Sequence, residues 1–148
     1  MAGDRPAVRI VCLDGEDRVL LMRWRDPVSG IAFWEPPGGG VDPGETPLAA
    51  ARRELHEETG LDPAAVIDVS VPVDRDFTWL GVHYRKIEPF FAARFDGTPV
   101  ASAAAFTDEE RETFLGCAWF TPEEIKALDE VLEPPDLPEV VERLRRLL

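Results

Sequence analysis

"GGVDPGETPLAAARRELHEETGL", Gly39 to Leu61, decides how the rest of this chain is read. Three glutamates, Glu54, Glu57 and Glu58, crowd into five positions beside two consecutive arginines. At about 100° per residue, Glu57 lies about −60° and Glu58 about +40° from Glu54, so the three carboxylates share one helical face. Leu48, Ala51, Leu55 and Thr59 fall at roughly 60–140° and make the adjoining stripe that faces a core. The spacing predicts a helix over 47–59. Thr46 caps its start, and Pro47 suits the first turn because its missing N–H had no partner there. Gly60 takes the left-handed stop, and Leu61 folds back onto the apolar side.

Like charges at these spacings repel, and more so where water is partly excluded. A bound divalent cation removes the repulsion. Clustered carboxylates with no Cys or metal-spaced His nearby specify a hard ion, Mg²⁺ or Mn²⁺, over Zn²⁺. A solvated charged face is the competing reading of the helix alone. The segment before it favours the ion. Gly38, Gly39 and Gly40 let the backbone approach a ligand without a Cβ, while Pro36, Pro37 and Pro43 stiffen the same loop. Such a loop can aim N–H or C=O groups at a phosphate or a metal, which makes Gly39 a candidate phosphate contact.

Outward from this stretch, 148 residues suit one domain spanning 1–148, and 45% hydrophobic residues suffice for one core. A formal net charge of −13 disfavours broad electrostatic binding to nucleic acid or to an anionic membrane. Cys12 and Cys117 form no CxxC pair and read as buried thiols in a reducing compartment. The opening "MAGDRPAVRIVCLDGED" lacks a signal-peptide apolar run, and no stretch approaches the ~20 apolar residues of a membrane span. The expectation is a soluble, cytoplasmic protein.

"AVRIVCL", "RVLLMRWR", "IAFW", "VIDVSVPV" and "FLGCAWF" read as strands, and "EPPGGGVDPGE" as a loop. "FTWLGVHYRKIEPFFAARF" reads as one long strand-like run, with Pro89 marking a break or an edge. "ASAAAFTDEERET" reads as an irregular loop. "TPEEIKAL" opens with a capping box from Thr121 to Glu124. "DLPEVVERLRRLL" ends the chain as an amphipathic helix with Val140, Val141, Leu144, Leu147 and Leu148 inward. Strands interspersed with three helices predict an α/β fold, a mixed sheet with helices packed on it. In "LLMRWR" the alternation sets Arg23 and Arg25 opposite Met22 and Trp24, where either could meet a phosphate or lie exposed.

The pattern G-x5-E-x7-R-E-U-x-E-E-x-G-U, with U a bulky apolar residue, is filled at every position by Gly39, Glu45, Arg53, Glu54, Leu55, Glu57, Glu58, Gly60 and Leu61. Chance gives this on the order of 10⁻⁹ per start position. The stretch therefore resembles the Nudix box. "FWEPPGGGVDPGE" is similar to that family's lead-in, although Pro36 stands where Leu is usual and Asp42 replaces the first Glu. The resemblance implies a Nudix hydrolase with an α/β/α sandwich, cleaving a nucleoside diphosphate linked to another moiety (a nucleotide-sugar, a dinucleotide or a nucleoside triphosphate). It implies that Glu57 and Glu58, helped by Glu54 and the Gly38 carbonyl, ligate the divalent ion, and that Arg53 orients Glu45 and the acids. It also implies an additional acid from a later loop, for which Glu110 and then Glu112 in "TDEERETF" are the candidates.

Neither Pro72, too early, nor Tyr84, too late, fits the substrate signatures known in the family. RNA decapping is disfavoured by the acidic balance. The alternatives are a catalytically silent nucleotide-sensing module, which usually lacks a box carboxylate, and a prenyl diphosphate isomerase, which needs an activated Cys12 or Cys117. Many members are homodimers, but no feature of this sequence fixes that.

Overall fold

The computed structural model describes residues 5–102 and 106–148. Met1–Asp4 of the expected leader-free start, and Ala103–Ala105 of the expected loop, lie outside the described residues. The chain runs β1 (Ala7–Leu13), β2 (Val19–Arg25), β3 (Ala32–Glu35), β4 (Gly38–Gly40), α1 (Pro47–Thr59), β5 (Val66–Trp79), β6 (Val82–Arg94), α2 (Asp108–Thr113), β7 (Phe114–Phe120), α3 (Pro122–Lys126), β8 (Val131–Leu132) and α4 (Leu137–Leu147). One mixed sheet holds the strands in the order β5-β6-β1-β2-β3-β8, with β4 added to β1 and β7 to β2. β1–β6 and β3–β8 pair in parallel, and the other pairs are antiparallel.

β1 shows why both faces are covered. Val8, Ile10 and Cys12 pack with Ala50, Ala51 and Leu55 of α1, whereas Val11 and Leu13 pack with Leu137, Val140, Val141 and Leu144 of α4. A strand buried on both sides reads as a continuous apolar run, as "AVRIVCL" does except for Arg9. The layers are helix, curled mixed sheet, helix, the α/β sandwich expected.

The structure corrects four readings. The triple glycine is not loop but strand β4, in register with β1 as Ala7↔Gly40, Val8↔Gly39 and Arg9↔Gly38. The long run from Phe77 is not one strand. It turns at Leu80–Gly81, where both φ angles are positive, and becomes a β5–β6 hairpin. Pro89 sits inside β6 opposite Pro72, and β1 joins β6 only from Phe90 onward, so no ladder bond is missed. Residues 108–113 of the expected loop form α2 instead, nucleated by a capping box between Thr107 and Glu110. Finally, Leu147 and Leu148 are exposed, because α4 ends beyond the edge of the core.

Candidate active site

Helix α1 begins and ends as its sequence dictates. The Thr46 hydroxyl accepts the Ala49 N–H, and Gly60 stops the helix at φ 71°. Leu55 and Ala51 anchor it on the sheet, which leaves the acidic face against β4. Here the glycines become obligatory. A Cβ on Gly38 would stand 2.1 Å from the Val8 carbonyl oxygen, and one on Gly39 would stand 2.3 Å from the Glu54 carboxyl carbon. No side chain fits between β1 and the acids of α1.

Arg53 organises the acids. Its Nε and Nη2 donate to the two oxygens of Glu45 at 2.8 and 2.9 Å. Nη2 also donates to the Gly40 carbonyl at 2.8 Å, and Nη1 donates to Glu54 at 2.9 Å and to Glu57 at 3.2 Å. All five guanidinium N–H groups are engaged, a fork that Lys could not reproduce. The hydrogen bonds from Arg53, then that from the Asp42 N–H, hold the Glu45 carboxyl down at about 2.

The other acids feel burial. Glu58 is 4% exposed, and its Oε1 accepts the Gly38 N–H at 3.2 Å. Desolvation pushes its carboxyl well above the usual range; Arg9 opposes this, and Glu110 and Glu35 add repulsion. Desolvation also raises Glu54, with Arg53 opposing and Glu57 and Glu110 reinforcing. Glu57 is the more open of the three.

Among the four acids of the 108–112 segment, Glu110 is partly buried and the others are exposed. Helix α2 brings its charge to bear on both Glu54 and Glu58 while its Oε1 caps the Thr107 N–H. Arg23 and Arg25 are drawn elsewhere. Arg23 grips Glu130 with two bonds of 2.8 and 2.7 Å, and Trp34 Nε1 shares that carboxylate at 3.0 Å. Arg25 is exposed and donates to the Gly30 carbonyl.

Sequence reasoning passed over a buried ionic array behind β4. Arg9 Nη1 donates to Glu35 at 3.0 Å and to the Pro36 carbonyl at 3.1 Å. Arg75, 1% exposed, donates to Glu88 at 2.7 Å and lies 4.9 Å from the centre of the Phe77 ring. The signal was available: Arg75 follows Val71 and Val73 at the inward period of two, and Arg9 interrupts an apolar strand.

The donor set is all oxygen and partly desolvated, which fits a hard divalent cation. The acids are held by Arg53 and by the Gly38 N–H, and among the described residues no three acidic, His or Cys side chains converge on one point.

The NUDIX domain family matches residues 3–143. The chain belongs to the Nudix family. Among curated Nudix relatives, it is 35% identical over 103 residues to an RNA pyrophosphohydrolase of Roseobacter denitrificans, covering 63% of each chain. It is 34% identical over 129 residues to one of Erythrobacter litoralis, covering 80% of this chain and 77% of the relative. The chain thus spans less than two thirds of the first of these. Solved structures share the Nudix fold across nearly the whole chain. The C. elegans Ap4A hydrolase binary complex has a TM-score of 0.67 at 18% identity, covering 95% of this chain and 96% of that one. The E. coli dihydroneopterin triphosphate pyrophosphohydrolase has a TM-score of 0.66 at 21% identity, covering 96% and 95%. Among the described residues no helix is long and apolar enough to cross a membrane.

Proposed function

We propose that the protein is a Mg²⁺-dependent Nudix pyrophosphohydrolase acting on the diphosphate linkage of a nucleotide, with Mn²⁺ as a substitute ion. The observation that carries this reading is the intact acidic face of α1 laid on a side-chain-free glycine strand. Glu57 and Glu58 would hold the ion, helped by Glu54 and the Gly38 carbonyl. When bound, the ion would acidify a water and neutralise charge on the diphosphate. Arg53 fixes Glu45, Glu54 and Glu57 in one frame. Glu110 would take a proton from that water; its charge bears on Glu54 and Glu58 from a different element, which supports this reading. Gly39 can offer backbone to a phosphate. Arg23 could do so only by leaving Glu130, and Arg25 lies exposed beside Gly30.

A second reading, the 5′ triphosphate end of RNA, draws on the names of the relatives, while the net charge of −13 counts against a long polyanion. The deciding experiment is a panel with Mg²⁺: nucleoside triphosphates, nucleotide-sugars, dinucleoside polyphosphates and a 5′-triphosphorylated RNA. Mg²⁺-dependent cleavage of at least one small nucleotide is expected. Cleavage of the RNA alone moves the assignment to RNA ends. Binding without turnover across the panel overturns hydrolysis in favour of a nucleotide-sensing module.

A further inference from the structure

Arg9 stands directly behind the catalytic wall. In the β1–β4 register it is the partner of Gly38, and a Cβ on Gly38 would meet the Arg9 Cδ at 2.7 Å. Gly38 gives its N–H to Glu58, and Gly39 lies against the Glu54 carboxylate. A single layer of glycine backbone therefore separates this guanidinium from two acids of α1. Glu35 and then Glu88 act on it most strongly, and Glu58 and Glu54 add to them through space.

Arg9 is tied directly to Glu35 at 3.0 Å and to the Pro36 carbonyl at 3.1 Å, both through Nη1. Its neighbours in β1 are apolar, and its buried Nε has no acceptor. An unpaired buried donor is costly. Arg53 meets the acids from the front, where it bonds Glu45, Glu54 and Glu57 but not Glu58. Arg9 is on the side that Arg53 leaves open.

We propose that Arg9 is the resident counter-cation of the catalytic acids: from behind the glycine strand it keeps Glu54 and Glu58 assembled in the metal-free enzyme and thereby weakens their hold on the divalent ion. The inference rests on the metal reading above. Its sign follows from Coulomb's law, since a fixed positive charge one backbone layer away attracts the acids and repels an incoming cation. An enzyme built this way does not need the ion to stay folded, and the diphosphate can bring its own metal into the site.

The test measures Mn²⁺ binding directly, by the paramagnetic resonance of free Mn²⁺, together with Tm with and without Mn²⁺. Wild type, Arg9→Met and Arg9→Lys are compared. Arg9→Met should lower the metal-free Tm, bind Mn²⁺ about tenfold tighter, and show a larger Mn²⁺-induced rise in Tm. Arg9→Lys, which keeps the charge, should stay within about threefold of wild type in affinity. If Arg9→Met does not fold without metal, Arg9→Gln, which retains a donor for the Pro36 carbonyl, carries the same comparison. A neutral variant that loses stability but binds Mn²⁺ no tighter than wild type overturns the proposal, because Arg9 is then only a packing residue. Wild type that binds no Mn²⁺ overturns the metal reading itself, and this inference with it.

Discussion

Glu57 and Glu58 are neighbours in sequence and opposites in environment. Glu57 is open and paired with Arg53; Glu58 is 4% exposed, with one backbone N–H on its Oε1. Glu57→Gln keeps an acceptor for Arg53 but removes the charge. Turnover should fall on the order of 100-fold or more with little change in Tm. Steady-state assay of the substrate found by the panel, beside a melting curve, checks this. For Glu58 the folded carboxyl titrates well above its unfolded value. The folded state therefore binds the proton more tightly, and this acid costs stability as pH rises through the interval between the two values. Without metal, Glu58→Gln should raise Tm at pH 7 and flatten its decline as pH rises above the ordinary carboxylate range. A Tm at or below wild type at pH 7 would count against the burial argument.

At the scale of elements, α1 is delimited by its own residues, and β4 is not. Thr46, Pro47 and Gly60 make the expected caps, because capping is local chemistry within one turn. Gly60→Ala should cost about 1 kcal/mol in urea unfolding, since a Cβ is disfavoured at positive φ. The strand character of Gly38–Gly40 depends on β1 lying alongside, and glycine has no β propensity to announce it. Helix α2 was hidden for a related reason. At 6 residues it is too short for a periodic pattern, although its capping box could have been seen. The same shortness leaves Glu110 ambiguous in sequence, where it is one acid among four.

Across the whole molecule, the sheet is the wall between two cores, and the acidic face of α1 lies beside one of them. Leu144 of α4 belongs to the opposite core and is fully buried. Leu144→Ala should cost about 3 kcal/mol in urea unfolding, while kcat of the folded fraction stays near wild type. A large loss of kcat at full folding would mean that the two cores are not independent. The Nudix box, the helix that carries it and the mixed α/β class were determined by the sequence alone, because motif spacing, helical period and capping act over a few residues. Only tertiary structure decided that the Glu110 charge bears on Glu54 and Glu58, that Arg23 turns to Glu130, that Arg9 pairs with Glu35, and that Arg75 is buried against Glu88. These ion pairs join residues 13 to 107 positions apart, and their energies depend on distance and desolvation. Only the folded chain supplies those quantities.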